Sequence, residues 1–388
     1  MTTTSDKKPL GLYIHIPFCY SKCAYCDFVS HPINDFDTHA AYIRKLVYEL
    51  RTKKSMFADG GETAPLVDTV YIGGGTPSFI QSMFIMELLD AIYASYRVTD
   101  DAEITIEVNP GTVDDSKLRV YRSCGVNRLS IGAQSFRDEE LAFLGRTHRP
   151  AAIRKCVFDA RAVGFKDINL DLMFGIPGQE LSGWEETLRG AVALEPTHIS
   201  FYSLGIEQET PLYERYVNGD FEAMDEIADR VMYHTAKEYL AGHGLFQYEI
   251  SNSAREGMKS RHNLKYWSME RYAGFGVSAH SYFGGRRFSN TENLADYLSA
   301  EDTVNMTNWE YENTPSDEMS EFIFLGLRLT TGIALSRFRG RFGADFWELY
   351  GKEAEKLINN GLLEHIDDRL RLTSLGLDLA NIVFSEFV

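Results

Sequence analysis

The sequence lacks the features that direct a protein out of the cell or into a membrane. None of its apolar runs approaches the roughly 18 residues of a membrane-spanning helix, and its start has no apolar stretch typical of a secretory leader. Basic residues are also scarce, since 39 Lys and Arg face 56 Asp and Glu and leave a formal charge of −17. This acidic excess disfavours general binding to nucleic acid or to anionic lipid. We therefore expect a cytoplasmic protein that does not bind nucleic acid.

Cysteine is scarce as well, and five cysteines in 388 residues are too few for a disulfide framework. Three of them nevertheless stand together as Cys19, Cys23 and Cys26, in a C-x3-C-x2-C spacing. Thiolates are typical ligands of zinc and of iron–sulfur clusters, and both usually take four ligands. Two interpretations remain open. Either Cys124 or Cys156 supplies a distant fourth ligand, or the fourth position is left to a non-protein ligand.

Short β-rich runs alternate with segments of helical spacing over the first two hundred residues. The runs cover residues 11–16, 67–73, 103–108, 127–131, 167–173 and 198–203. Strands that alternate with helices of this length indicate repeated βα units and a parallel sheet. Six such units fit either a doubly wound sheet or a barrel that lacks two of its eight units, and periodicity alone does not separate the two.

The rest of the chain is less regular. The pattern predicts a helix at 223–240 and a strand at 246–250. Amphipathic helices at 316–329 and 344–360 then precede two short strands around an Asp-Asp-Arg turn within 362–373. Helices followed by a small hairpin are typical of a winged-helix-like domain.

Three regions follow from these patterns. Residues 1–250 form the βα domain, and residues 251–308 form a Gly- and aromatic-rich elaboration. Residues 309–388 form a small C-terminal helical domain.

A triple glycine and several polar residues follow the predicted strands, at the end where the active sites of βα barrels collect. Strand two runs into Gly-Gly-Gly-Thr at 73–76, whose backbone could approach a ligand closely and donate N–H groups. The next three strands lead to Glu107 and Asn109, to Gln134 and to Asp171. Each alone is most simply a solvated strand end or a helix cap. Together, at the same end as the cysteine loop, they predict a binding site.

The cysteine loop resembles that of the radical S-adenosylmethionine (SAM) superfamily, because C-x3-C-x2-C follows the first strand and the aromatic Tyr25 precedes the last cysteine. The resemblance implies that the three cysteines hold a [4Fe-4S] cluster whose fourth iron binds the amino and carboxylate groups of SAM. It also implies the fold, an α/β partial (βα)6 barrel.

Further motifs in the same order resemble one branch, the HemN/HemW group of oxygen-independent coproporphyrinogen III oxidases and haem chaperones. They are YIHIPFC (13–19), GGGTP (73–77), EVNPG (107–111), GAQSF (132–136), LGRTH (144–148) and DLMFGIPG (171–178). The residues that would line the cluster-bound SAM by this resemblance are Tyr13, Gly74, Gly75, Thr76 and Glu107. Those at the place where the oxidases contact a second SAM are Gln134, Arg146 and Asp171, with Arg146 suited to pair with a carboxylate.

Two departures separate the sequence from the oxidases. They carry a further cysteine two residues after the third, where this chain has Phe28, and an N-terminal extension, where this chain has ten residues before Gly11. The chaperones instead carry an H-N-x-x-Y-W motif, and here residues 262–267 read His-Asn-Leu-Lys-Tyr-Trp.

If that motif is helical, His262 and Tyr266 share one face with Trp267 adjacent, and Asn263 follows the histidine. Within the family resemblance we predict that His262 is the axial ligand of haem iron, with the aromatic rings covering the porphyrin. As a bare pattern it is more typical of a buried, hydrogen-bonded histidine. His280, in Gly-Val-Ser-Ala-His, is a second candidate ligand, although it could point at the SAM site instead.

The leading hypothesis is a haem chaperone that binds a [4Fe-4S] cluster, SAM and haem b and passes haem to apo-proteins, among them respiratory and membrane-bound acceptors. It would act as a monomer or homodimer. The alternative is an oxygen-independent coproporphyrinogen III oxidase, and a structural zinc protein is a third interpretation. Whether the chain is an enzyme therefore stays open at this point.

Overall fold

The structure is a computed structural model that describes residues 8–58 and 64–388, and a parallel sheet forms its centre. Six strands pair side by side in chain order: β1 (Leu10–Ile16), β2 (Leu66–Gly74), β3 (Arg97–Val108), β4 (Arg128–Gln134), β5 (Asp167–Phe174) and β6 (His198–Ser203). All seven residues of β4 are buried. Burial on both faces explains why these runs read as nearly continuous apolar stretches. The six predicted strands are confirmed, although β3 begins six residues before the predicted start at 103.

Helices cover one face of this sheet and connect the strands. They are α1 (Phe36–Lys53), α2 (Ser82–Ser95), α3 (Asp115–Ser123), α4 (Asp138–Phe143), α5 (Pro150–Ala162) and α6 (Leu181–Val192), with short 3₁₀ turns at Lys54–Phe57 and Pro77–Phe79. α1 shows how the sequence specifies them. The Asp35 side chain caps its first turn by accepting the Thr38 N–H at 2.8 Å, and Tyr42, Leu46 and Leu50 on one face are buried against the sheet.

The barrel is open. In the described residues β1 pairs on its other side with β9 (Tyr272–Phe275), and β6 pairs with β8 (Asn252–Ala254), so β1 and β6 do not meet. The partial (βα)6 barrel is therefore confirmed.

Further strands extend both edges into a 12-stranded sheet. β7 (Phe246–Glu249) pairs with β8, while β10 (His280–Phe283), β11 (Arg286–Asn290) and β12 (Thr307–Glu312) follow β9 in antiparallel order. The intervening helices are α7 (Pro211–Val217), α8 (Glu226–Gly242), α9 (Arg261–Trp267) and α10 (Leu294–Ser299). The predicted boundaries at 250/251 and 308/309 fall between β7 and β8 and inside β12, so this sheet crosses both.

A small helical domain with its own core forms the C-terminal part. It contains α11 (Pro315–Leu327), β13 (Ile333–Ala334), α12 (Leu335–Phe342), α13 (Phe346–Asn359), β14 (Leu363–Ile366), β15 (Arg369–Leu372), α14 (Ser374–Asp378) and α15 (Ala380–Ser385). Its strands form a separate sheet in the order β13-β15-β14. Phe322, Phe338 and Phe346 are buried at its centre. The two predicted helices and the hairpin are confirmed, and the arrangement is winged-helix-like.

Polar contacts join this domain to the barrel. His234 on α8 lies 2.9 Å from Asp378, and Arg341 on α12 donates both to Glu318 at 2.8 Å and to the Tyr282 hydroxyl of β10 at 2.9 Å. Among the described residues, none of the helices combines the length and apolarity needed to span a bilayer.

Candidate functional site

The cysteine loop leaves β1 at the carboxyl end of the parallel strands and is pinned by backbone hydrogen bonds. The Cys19 N–H donates to His31 O at 3.0 Å, and the Ala24 N–H donates to Leu144 O at 3.1 Å. All three cysteine side chains line one cavity there, which we call the cluster cavity. Cys124 lies at the end of α3 and Cys156 within α5, and neither lines this cavity. A distant fourth cysteine ligand is therefore not supported.

The three thiols are of the kind that ligates a single metal ion or an iron–sulfur cluster. Among residues 8–58 and 64–388, no three His, Cys, Asp or Glu side chains are close enough together to hold one metal ion. Ligands of a tetrahedral zinc lie roughly 3.8 Å apart, given Zn–S bonds of about 2.3 Å. In an iron–sulfur cluster each cysteine binds a different iron, so wider spacing is suitable. Burial raises the pKa of Cys26 to about 11 and also raises the pKa of Cys19, so cluster binding would displace protons from these thiols.

The triple glycine lets the end of β2 approach the cysteine loop. Gly74 has φ +111°, and a Cβ there would stand 2.6 Å from the His15 ring. A Cβ on Gly75 would stand 2.9 Å from Phe18 O. In this structure the Gly74 N–H donates to Glu107 at 3.0 Å and the Gly75 N–H donates to Ile16 O at 2.9 Å, so donation to a ligand stays a prediction. Both glycines do line the cluster cavity, as predicted.

Two partly buried carboxyl groups face the cavity from β3 and β5. Glu107 accepts from the Tyr71 hydroxyl at 2.9 Å, and Asp171 accepts from Asn169 at 2.7 Å and from the Ser130 hydroxyl at 3.3 Å. Burial, with the Asp171 charge as the second cause, raises the pKa of Glu107 to about 7. Burial likewise raises the pKa of Asp171. Such a pair suits a cationic ligand group, which would restore the negative charge that burial disfavours.

Arg146 also lies inside the cluster cavity rather than at a solvated helix end. It donates to Asn109 Oδ1 at 2.6 Å, to Gly132 O at 2.7 Å and to Cys23 Sγ at 3.4 Å. Asn109 in turn donates to the Thr76 hydroxyl at 2.8 Å, and that hydroxyl lies 3.4 Å from Cys19 Sγ. One hydrogen-bonded chain thus connects two of the three thiols.

The remaining predicted residues of the barrel divide between two cavities. Gln134 and Tyr25 line the cluster cavity. Gln134 has φ +65° and accepts from the Tyr202 hydroxyl at 3.0 Å. Tyr13 does not line it: its hydroxyl lies 3.0 Å from His15 Nδ1, and its ring faces a second, larger cavity.

This second cavity, which we call the aromatic cavity, has a volume of about 560 Å³. It lies between the cysteine loop, β9–β10 and α11 of the C-terminal domain. Its aromatic lining residues are Tyr13, His15, Phe28, Tyr266, Trp267, Tyr272, His280 and Tyr282. Phe28 lines both cavities, so the aromatic cavity adjoins the cluster cavity at that side chain. Its size and apolar walls are typical of a site for a small organic ligand.

The H-N-x-x-Y-W motif is helical and lies on α9, so His262 and Tyr266 share one face, as expected for a helical motif. Tyr266 and Trp267 line the aromatic cavity, whereas His262 and Asn263 line neither cavity. His262 is 1% exposed, and its Nδ1 and Nε2 lie 2.9 Å and 2.8 Å from the hydroxyls of Thr69 and Tyr266. Burial lowers the pKa of His262 to about 3. Ligation of iron by His262 stays a prediction, and it would require one of these hydrogen bonds to break.

Sequence reasoning found Asn109 beside Glu107 at a strand end, but not its link between Thr76 and Arg146, which depends on contacts across strands. It missed other residues of the two cavities. Tyr202 lies near the carboxyl end of β6 and could have been found by that position. Tyr272 and Tyr282 gave no signal of their own.

The carboxyl-end cysteine loop, the open barrel and the lining residues define a class of protein. Residues 13–191 match the Radical SAM superfamily, and residues 313–379 match the HemN C-terminal domain. The protein is thus a radical SAM protein with a HemN-type C-terminal domain, and membership of this superfamily implies a [4Fe-4S] cluster and SAM.

Relatives narrow the class further. The chain is 36% identical to the heme chaperone HemW of Bacillus subtilis (strain 168), over 97% of this chain and 98% of that protein. It is 41% identical to the heme chaperone HemW of Escherichia coli (strain K12), over 70% of each. The chain belongs to the HemW family. Coproporphyrinogen III oxidase (HemN) from Escherichia coli shares the fold, with a TM-score of 0.86 at 22% identity, covering 98% of this chain and 90% of that one.

Proposed function

We propose that this protein is a haem chaperone of the cytoplasm. It holds a [4Fe-4S] cluster through Cys19, Cys23 and Cys26 with SAM in the cluster cavity. It carries haem b in the aromatic cavity and passes it to apo-proteins, including respiratory acceptors at the membrane. The observation that carries the proposal is the aromatic cavity itself, which has the size of a ligand site and adjoins the cluster cavity at Phe28.

The described residues suit these roles. The three thiols supply the cluster ligands, and the Glu107 carboxyl supplies a partner for the ammonium or ribose of SAM. Arg146 keeps a positive charge beside Cys23, 3.4 Å from its sulfur, where it would offset the charge of bound thiolate. The cavity walls provide ring faces against which a porphyrin stacks.

Haem titration tests the proposal directly. Purified protein should produce a shifted Soret band that saturates at a fixed ratio of haem to chain, and the loaded protein should transfer haem to an apoprotein such as apomyoglobin. Absence of a saturable Soret shift would contradict the haem-carrying role. Titration with and without SAM and an intact cluster would reveal whether the two cavities are coupled.

A second candidate function is oxidation of coproporphyrinogen III, because a tetrapyrrole in the aromatic cavity would lie beside the cluster cavity. Reconstituted protein would be incubated anaerobically with reductant, SAM and coproporphyrinogen. Formation of protoporphyrinogen would establish this activity. We expect none, since Phe28 stands where the oxidases carry a further cysteine.

A further inference from the structure

We propose that His280 is the axial ligand that holds haem iron in the aromatic cavity. This inference rests on the proposed haem-carrying function and assigns the iron to a residue outside the H-N-x-x-Y-W motif. The motif would instead supply Tyr266 and Trp267 as walls of the cavity.

Availability of a ring nitrogen separates His280 from His15 and from His262 of the motif. His31 Nε2 is also without a hydrogen-bond partner, but His31 lines neither cavity. His15 lines the cavity, but its Nδ1 lies 3.0 Å from the Tyr13 hydroxyl and its Nε2 lies 2.9 Å from Val29 O. His262 is buried with both nitrogens hydrogen-bonded. His280 is exposed, lines the cavity, and its Nε2 has no hydrogen-bond partner among the described residues.

The backbone holds the His280 ring in the state that a metal ligand requires. Its Nδ1 lies 3.0 Å from Ser278 O, and since a carbonyl can only accept, Nδ1 carries the proton. The lone pair is then on Nε2. Metal-bound histidines usually donate their other ring N–H to such an acceptor, which fixes the tautomer and the ring orientation.

The loop before β10 is shaped to present this carbonyl. Ser278 has φ +60°, a left-handed conformation that a serine rarely adopts. Its N–H donates to Thr291 O at 2.8 Å, and Ala279 O accepts the Asn290 N–H at 3.0 Å, so both sides of the loop are tied to β11 and its extension. Conformations of this kind persist where the surroundings enforce them, and they concentrate at functional sites.

The rest of the cavity wall is mostly aromatic, with the carboxylates Asp27 and Glu292 and the guanidinium of Arg287 among its polar groups. Tyr272, Tyr282 and Trp267 offer ring faces and edges to a flat apolar macrocycle. Arg287 also lines the cavity, and its guanidinium would attract the carboxylates of haem, although it is already paired with Glu321 at 2.6 Å. The ligand class is therefore an iron porphyrin with one protein histidine on the iron.

The test compares three single variants of the full-length chain. His280→Ala removes the proposed ligand, and His262→Ala removes the competing one. His243→Ala is the matched control, because His243 is also exposed with Nδ1 2.7 Å from a backbone carbonyl, that of Tyr239, but it lines neither cavity. Thermal unfolding monitors the fold of each variant. Each variant is then titrated with haem, and the ferric state is examined by electron paramagnetic resonance.

We expect His280→Ala to weaken haem binding at least tenfold and to lose the parental Soret and spin-state signature, with added imidazole restoring the signature. We expect His243→Ala to match the parent. His262→Ala should melt at a lower temperature while its bound haem keeps the parental signature. Parental spectra in His280→Ala, or loss of the signature in His262→Ala alone, would overturn the assignment and leave the haem-carrying role intact. Failure of the parent to bind haem would instead contradict the proposed function.

Discussion

Replacement of Gly75 by alanine should separate the cysteine loop from the end of β2. The added Cβ would stand 2.9 Å from Phe18 O, 3.0 Å from Ile16 O and 3.0 Å from Phe18 N, all of them backbone atoms. Ordinary contact begins near 3.4 Å. Because backbone cannot rotate away as a side chain can, the loop must shift by up to about 0.5 Å, the overlap of a Cβ with tightly packed neighbours.

The expected cost follows from that overlap. Overpacking of this kind typically destabilises a protein by about 1–3 kcal/mol, which lowers the melting temperature of a chain of this length by roughly 1–4 °C. The shift also moves Cys19, which directly follows Phe18, relative to Thr76, whose hydroxyl lies 3.4 Å from the Cys19 sulfur. We therefore expect incomplete cluster assembly as well as reduced stability.

The assay is anaerobic reconstitution followed by iron and sulfide analysis per chain, with thermal unfolding of the cofactor-free protein alongside. Gly340→Ala in α12 is the matched control, because no atom lies within 4 Å of the added Cβ there. A helical glycine-to-alanine change in open space should stabilise by about 0.5–1 kcal/mol and leave the iron content unchanged. Parental melting and full iron content in Gly75→Ala would refute the steric reasoning.

Three further outcomes follow from the two cavities. Glu107→Gln should flatten the pH dependence of stability in cofactor-free protein. Burial and the Asp171 charge raise the pKa of Glu107 to about 7, so the parent should lose up to about 3 kcal/mol of stability relative to the variant as pH rises from 4.5 to 7. Equal pH dependence of the two proteins in denaturant titrations would contradict this. His262→Ala should cost about 2–4 kcal/mol in urea unfolding, because it opens a cavity and leaves two buried hydroxyls without their partner, and an unchanged midpoint would show that they find other partners. Arg146→Gln removes a positive charge beside Cys23, so a redox titration should show a cluster reduction potential lowered by an amount on the order of 100 mV. A higher potential in the variant would show that another charge dominates.

Local patterns predicted the order of helices and strands well, because the hydrophobic periodicity of each element depends only on residues within that segment. The six parallel strands, α8 and the C-terminal hairpin all formed within three residues of their predicted bounds, except that β3 begins six residues early. The start of a helix differed from its prediction where a capping residue sets it. α8 begins three residues later than the apolar pattern indicated, because the Asp225 side chain caps it by accepting hydrogen bonds from the N–H groups of Ile227 and Ala228.

The hydrogen-bond partners and cavity positions of the site residues depend on contacts between distant segments, which local sequence patterns do not predict. His262 and Tyr266 share a helix face as the i, i+4 spacing predicted, but the second partner of His262 is Thr69, which is 193 positions away on β2. Likewise Tyr13 lies on the predicted strand β1. The packing of β9 and α9 beside β1 determines which of the two cavities the Tyr13 ring lines. The polar residues at the strand ends could be predicted because register in a parallel sheet is regular. Their hydrogen-bond partners could not be predicted.

The position of β9 has a consequence for how the protein is made. β9 pairs along β1, and Gly11 faces Tyr272, about 260 residues later in the chain. At roughly 5–20 residues per second, a ribosome needs about 13–50 s to supply that partner strand, and pairings of such sequence separation also form slowly. Throughout this interval one edge of β1, the strand that leads into the cysteine loop, is without its native neighbour. We therefore expect iron and sulfur to be loaded after synthesis has passed β9, into a finished sheet rather than into a nascent chain.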